Sequence, residues 1–531
     1  MGSARLWVSF LAAVFVATGC GAADAPPATS TTTVASTEPF HFEGRLSFEA
    51  RRPTSTGASL ETDERPGRRV RIEAQAGNGA VLADARTSED GAYVLDGVGA
   101  VARIVVVANV EVDGRELAVT FDEGGTRVHA QGFQLPPPSE RASWNGRLHA
   151  EADDALGGAL HILDTLSRGY QTVERWMGGE RLPALYVYWG PDVTVDWSYY
   201  RGERGVGRFC LELLAGRRSE RTTTDTDEHD EAIILHELGH FVFDRWTSHS
   251  SIGGRHPRGS RVDTGVAWEE GRATWLATAI LRDPAYIDTR GIEGTGSARV
   301  DEVVETPQDP RGLGSETTVA GVLWDLSDGV DADGEEADRS PDTDGDGLYL
   351  GPAAVLRGMV AVSRAPHAYP ALGSFLRHLV ETDVVEEAAL RAMLRASGEP
   401  ETVLDAPWPL ELAVGTSVTG HVDGMTQPAP SGGENRAENG YDAVLAYRLV
   451  LPSAGSLVLT LTPSGTGSAA DHTDLSLELR TDHAEPLGSS SNAGGPEVLS
   501  VPIAAGTYVV YVRDAGSGNV ADYSLSAAFT P

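Results

Sequence analysis

Hydrophobic periodicity changes twice along this chain, and those changes constrain its architecture more than any other feature. From Phe40 to about Leu135 apolar, often β-branched residues alternate with polar ones: Val70, Ile72 and Ala74, then Ile104 to Val107, then Val110 and Val112. Turns fall at Gly77-Asn78-Gly79 and Asp90-Gly91. Leu135-Pro136-Pro137-Pro138-Ser139 is a stiff break. Beyond it Leu156, Leu160, Leu163, Leu166, Tyr170 and Val173 keep helical spacing, which predicts one long amphipathic helix over 148–177. Helical patterns recur at 231–245, 267–282, 317–326, 352–362 and 372–382, and 182–188 reads as a strand. From Leu412 period two returns, as in 456–461, 475–479 and 507–512. The expectation is a multidomain protein: a β-sandwich over 40–135, an α+β unit over 139–405 and a second β-sandwich over 408–531. A chain of 531 residues is long enough to bury more than one core.

Composition removes several functions. The chain has no lysine, so all 42 basic residues are arginine, and Schiff-base and P-loop lysine chemistries are excluded. A net charge of −35 repels nucleic acid and anionic lipid headgroups. With two cysteines, Cys20 and Cys210, neither a disulfide framework nor a cysteine-rich metal site can be built.

The apolar run Leu6 to Thr18 follows Arg5 and is too short to span a bilayer, but it has the length of a secretory signal core. It ends in Ala17-Thr18-Gly19-Cys20, which resembles the bacterial lipoprotein lipobox. That resemblance implies a signal peptide over 1–19, a lipidated Cys20 as the mature N-terminus and a location at the cell envelope, in the outer membrane or at the cell surface. The alternative is an ordinary signal peptide cleaved near Ala23 and a secreted product. The Ala-, Pro-, Ser- and Thr-rich stretch over 20–39 is expected to be a flexible tether, so contact with a membrane would run through the N-terminal lipid only. Cys210 is then expected to be a buried hydrophobe.

The chemistry is concentrated in Ile233-Ile234-Leu235-His236-Glu237-Leu238-Gly239-His240-Phe241. On a helix, residues four apart share a face, so His236 and His240 can present two imidazole nitrogens to one ion, and two histidines at that spacing suit zinc. Glu237 lies one position round, where it can take a proton from an attacking water rather than occupy a ligand place. Asp227, Glu228, Asp230 and Glu231 put negative charge at the helix start, where the helix dipole favours it. Gly239 costs about 1 kcal/mol inside a helix, which points to a close backbone approach.

A catalytic zinc needs a third protein ligand and an open position. Trp268-Glu269-Glu270-Gly271-Arg272-Ala273-Thr274-Trp275 opens a second apolar helix and resembles the gluzincin metallopeptidase pattern, in which a Glu directly before Gly supplies that ligand. The resemblance selects Glu270, with Glu269 the alternative. His249 and His256 have the wrong spacing for a metzincin. The segment Glu316 to Leu326 resembles a downstream helix of gluzincin-like proteins, with Trp324 read as core. Tyr349, His367 and Tyr369 are candidates to stabilise the oxyanion. Asp342, Asp344 and Asp346, in a Gly-rich acidic loop, form either a calcium site or a solvated loop.

Two flanking resemblances complete the reading. Pro66-Gly67-Arg68-Arg69-Val70 with Thr87-Ser88-Glu89-Asp90-Gly91-Ala92-Tyr93 is similar to the transthyretin-like, carboxypeptidase-regulatory domain. Asp474-Leu475-Ser476-Leu477 and Ala505-Gly506-Thr507-Tyr508, closed by Tyr523-Ser524-Leu525, resemble the bacterial pre-peptidase C-terminal domain, a removable or substrate-docking accessory of secreted peptidases. The expected function is a secreted or lipid-anchored zinc metallopeptidase acting on protein or peptide substrates, with calcium a second candidate cofactor. The alternative is a noncatalytic surface lipoprotein, an adhesin or scaffold, that keeps a zinc-binding zincin core. The oligomeric state has no signature in the sequence.

Overall fold

The computed structural model describes residues 38–137, 145–191, 197–203, 208–215, 226–254, 256, 259–293, 297–306, 308–328, 348–364, 369–405, 408–423, 441, 444–464, 474–482, 485–492, 495–514 and 520–531. Cys20, the Asp342 to Asp346 loop and His367 lie outside them.

The N-terminal strands are β1 (Pro39–Thr54), β2 (Gly57–Pro66), β3 (Val70–Gln75), β4 (Val81–Arg86), β5 (Ala92–Val98), β6 (Arg103–Val112), β7 (Arg115–Thr120) and β8 (Ala130–Gln134). One sheet has the order β2-β1-β5, and β1 buries Phe42, Leu46, Phe48 and Ala50 at the two-residue period of a strand with one face inward. The second sheet contains β6, which is apolar almost throughout because both of its faces are covered.

That second sheet does not stop at the proline-rich break. Following it come β9 (Arg147–Ala150), α1 (Ala155–Trp176), β10 (Leu185–Tyr188), β11 (Tyr199–Glu203) and β12 (Phe209–Glu212). β9 pairs parallel with β1, and β10 pairs parallel with both β7 and β12, so the order is β11-β12-β10-β7-β6-β3-β4. The division expected at 135–139 is therefore not a division between cores. One hydrophobic cluster runs from Phe42 through the helices, since β10 pairs with β7 and continues the N-terminal sheet past the break. The helix expected from 148 begins at Ala155, its first residues being drawn into the sheet as β9. Cys210 on β12 is fully buried, as its type predicts.

The helical layer follows: α2 (Glu231–Trp246), α3 (Thr264–Leu281), the hairpin β13 (Ala285–Arg290) and β14 (Ser297–Val303), α4 (Glu316–Asp325), α5 (Pro352–Arg364), α6 (Leu372–Glu381), α7 (Glu387–Ala396) and α8 (Thr402–Asp405). Glycines set the crossings. A Cβ on Gly239 of α2 would lie 3.0 Å from the Ala273 Cα of α3. One on Gly271 of α3 would lie 2.5 Å from the Val319 Cβ and 2.6 Å from the Glu316 carbonyl of α4. The helix-interior cost of Gly239 thus secures contact between the two helices that carry the motif residues. Trp324 is buried in α4 and donates from Nε1 to Glu305, a core residue as expected.

The C-terminal unit is β-rich: β15 (Leu410–Glu411), β16 (Ser417–Asp423), β17 (Val444–Leu451), β18 (Gly455–Ser464), β19 (Leu475–Thr481), β20 (Pro486–Ser490), β21 (Glu497–Ile503), β22 (Gly506–Asp514) and β23 (Val520–Thr530). Two sheets, β15-β17-β22-β19-β20 and β16-β23-β18-β21, enclose a separate core containing Leu457, Leu459, Leu461, Leu477, Val510 and Leu525. Strand β22 is buried on both faces. Tyr508, Val510 and Val512 point into the sandwich, whereas Val509 and Tyr511 belong to the core of the helical layer. Among the described residues no helix is long and apolar enough to cross a membrane.

Candidate metal centre

Helix α2 is apolar on nearly all sides because it lies between α1, α3 and the sheet; Leu235 and Leu238 close over Gly169 of α1, and Phe241, Val242 and Phe243 are fully buried. His236 and His240 emerge on its one partly open face, their Nε2 atoms 3.1 Å apart. Helix α3 crosses α2 at Gly239 and brings Glu270 to the same point. Its Oε2 lies 3.3 Å from His236 Nε2 and 3.2 Å from His240 Nε2. Four-coordinate zinc with ligand bonds of about 2.0–2.1 Å separates its donors by roughly 3.3–3.4 Å, so these three atoms have the spacing of one face of such a tetrahedron. Thr274 Oγ1, one turn after Glu270, lies 3.2 Å from His236 Nδ1, so that nitrogen is occupied while Nε2 faces Glu270.

Glu269 turns elsewhere. It pairs with the fully buried Arg272 guanidinium, accepts from the Ser250 amide at 3.2 Å and lies 3.7 Å from His249 Nδ1. Burial pushes its carboxyl up, but Arg272 and His249 outweigh burial and hold it at about 2. Of the two adjacent glutamates, only Glu270 meets the histidines.

Glu237 is 6% exposed, its Oε2 has no hydrogen-bond partner, and its carboxylate accepts from the backbone of Tyr200. Burial raises its pKa, which suits a proton acceptor working near neutrality. Burial lowers the His240 pKa, but the neighbouring Glu270 charge more than offsets this and raises it to about 9. An incoming cation therefore displaces a proton.

Around this centre lies a cavity of ≈ 330 Å³ walled by Trp197, Tyr200, His249, Ser251 and His256 besides the motif residues. A wider cleft of ≈ 900 Å³ over β1, β5 and Asn145–Arg147 has no histidine or cysteine in its lining. Several residues outside the expected ligand set also meet at the centre. His256, 3.6 Å from Glu270 Oε1, is held by Glu316 at 3.0 Å; both are distant in sequence from the motif. Asp244, one turn after His240, accepts from Tyr200 at 2.7 Å and pairs with His249 at 2.7 Å. Asp244 and Thr274 were legible in principle, since each lies four residues from a motif position.

Of the three oxyanion candidates His367 lies outside the described residues, and neither Tyr349 nor Tyr369 lines the cavity. Tyr369 is buried with its hydroxyl between the Ser250 carbonyl (3.0 Å) and Tyr511 (2.7 Å), and Tyr349 lines a different cleft with Arg175, Arg282 and Arg357. The acidic residues before α2 do more than meet the helix dipole. Asp230 accepts from Thr289 N and Oγ1 at 2.9 and 2.8 Å, and Glu231 pairs with Arg65, Arg168 and His161.

His249 gives a pH dependence. Burial lowers its pKa, but its bonds to Asp244 and Glu269 raise it to about 9. A histidine raised above its unfolded value of about 6.5 contributes stability that is complete below pH ~6.5 and is lost as pH rises through ~9. Thermal melts between pH 6.5 and 9 should show stability falling, and His249→Gln should flatten that fall. An unchanged slope in the variant would refute the assignment.

Residues 177–344 match the family model described as the Mycolysin C-terminal domain. The matched segment contains α2 and α3 and marks this part of the chain as peptidase-related. No curated protein matches the chain. Solved structures similar to it include the pre-peptidase C-terminal domain of a Bacillus anthracis collagenase (16% identity, 22% of this chain and 92% of that one, TM-score 0.16). A periplasmic inhibitor of g-type lysozyme from Aeromonas hydrophila is similar at 14% identity over 23% of this chain and 96% of its own, with a TM-score of 0.15. So is a CBM35 module from Cellvibrio japonicus, at 12% identity over 22% and 99% of the two chains, with a TM-score of 0.14.

Proposed function

We propose that the chain is a zinc metallopeptidase of gluzincin type, hydrolysing peptide bonds with His236, His240 and Glu270 as metal ligands and Glu237 as general base. One observation carries the reading: three donor atoms 3.1–3.3 Å apart beside a buried carboxylate whose second oxygen is unpartnered. The peptidase-related match over 177–344 supports it. Zinc held there supplies a Lewis acid that polarises the scissile carbonyl and makes a water easier to deprotonate. Glu237 takes that water's proton and passes it to the leaving amine. His256, paired with Glu316 at the cavity wall, is an imidazole that can donate to the developing oxyanion. β11 forms the sheet edge beside the cavity among the described residues, where an extended peptide can lie, so unstructured protein is the substrate class. The purified protein should cleave an unfolded polypeptide, stop on addition of a zinc chelator and recover with added zinc. Absence of cleavage at full zinc occupancy would overturn the reading.

The same reading places the protein outside the cytoplasm, held by lipid on Cys20. Wild type should partition into detergent and Cys20→Ser should release it; a wild-type product that stays aqueous would remove the anchor and leave the enzyme untouched.

A further inference from the structure

We infer that the C-terminal β-sandwich is a working part of the metal centre: through Tyr511, together with Tyr369, it positions the segment His249–Ser251 that walls the cavity. The kinetic consequence rests on the peptidase reading; the structural one rests on packing alone.

The two phenols reach Ser250 from different units. Tyr369 precedes α6 in the helical layer and Tyr511 lies on β22 of the sandwich, yet their hydroxyls touch at 2.7 Å, and the Ser250 carbonyl lies 3.0 Å from one and 3.2 Å from the other. Burial raises both pKa values, so both hydroxyls remain proton donors. On its other side the Ser250 peptide donates from N to Glu269, and its carbonyl presses on the first turn of α3, where a Cβ on Gly265 would come within 2.3 Å of the Ser250 oxygen. Helix α3 is the helix of Glu270. The neighbours of Ser250 are cavity wall: His249 holds Asp244, which holds Tyr200, and Ser251 O accepts from Arg480 of β19 at 3.5 Å. Asp263, which caps α3 at the Gly265 and Val266 amides, also feels the Arg513 and Arg480 charges of the sandwich.

A detachable accessory has a polar surface towards its carrier. Here β22 is apolar on both faces, and Val509 and Tyr511 share the carrier's core. Among the described residues none of the sandwich lines the cavity, so Tyr511 and Tyr369 are positioning residues that act through Ser250.

The test uses the full chain and two matched pairs of substitutions. Tyr369→Phe/Tyr511→Phe removes both donors to Ser250. Tyr447→Phe/Tyr523→Phe removes a hydroxyl pair of the same 2.7 Å length that lies inside the sandwich. For the first pair, amide exchange over 248–251 should accelerate about tenfold or more and kcat should fall roughly fivefold or more, with zinc content unchanged. Tyr511→Phe alone should have a smaller effect, because Tyr369 still reaches the Ser250 carbonyl. The second pair should lower the melting temperature while leaving both readouts within about twofold. Unchanged exchange at 248–251, exchange that rises without loss of kcat, or identical behaviour of the two pairs would each overturn the inference. If wild type cleaves nothing, the peptidase reading fails, and exchange alone decides whether the sandwich holds Ser250.

Discussion

Glu237→Gln should keep close to one zinc per chain and still lose turnover by about 10²-fold or more, the scale of general acid–base assistance. The substitution is nearly isosteric and removes no ligand. Glu237 Oε2 has no hydrogen-bond partner to lose, so the fold should be little disturbed. Glu270→Ala should behave differently: zinc and activity should disappear together, because the emptied position leaves two imidazoles 3.1 Å apart without their shared carboxylate. Metal analysis beside steady-state kinetics separates the two roles. Wild-type turnover in Glu237→Gln would refute the assigned base. Full zinc in Glu270→Ala, with loss in Glu269→Ala, would move the third ligand by one residue.

Arg272→Met should destabilise the protein by about 3–5 kcal/mol, the cost of removing one partner of a buried ion pair. Arg272 is fully buried, lies over the Phe243 ring at 4.3 Å and pairs with Glu269. Without the arginine, Glu269 keeps only the Ser250 amide and His249, and its buried charge is under-compensated. Glu269→Gln/Arg272→Met should therefore be more stable than Arg272→Met alone. Denaturant melts of both variants test this; a double variant no more stable than the single one would show that the loss is packing rather than charge.

The elements most legible in the sequence are those whose evidence is local. The helices over 231–245, 267–282, 317–326, 352–362 and 372–382 appear within a few residues of their expected bounds, because an apolar face repeats over several turns inside each one. Helix α7, whose Leu390, Met393 and Leu394 form a buried face at helical spacing, and the β13–β14 hairpin are absent from the sequence reading. The strand at 507–512 was read as alternating, although Thr507-Tyr508-Val509-Val510-Tyr511-Val512 is apolar at nearly every position. A run of that kind belongs to a strand buried on both sides, and its second face is the one that meets the helical layer. Tyr369 is, with Tyr349 and His367, a candidate from the sequence to stabilise the oxyanion. It does not line the cavity; its hydroxyl serves the Ser250 carbonyl, one residue from the cavity wall.

The amino-acid sequence by itself determined that His236 and His240 share one helix face with Glu237 beside them, since a spacing of four on one helix brings imidazoles to one face whatever the rest of the chain does. It also determined the return to β-structure at the C-terminus. Only the tertiary structure decided which glutamate completes the centre, because Glu269 and Glu270 point about 100° apart on α3 and the crossing at Gly239 chooses between them. It likewise decided that β10 joins the N-terminal sheet, that His256 and Glu316 meet at the cavity, and that the sandwich reaches Ser250. Each of these contacts joins residues far apart in the chain, and no local periodicity records how distant segments pack.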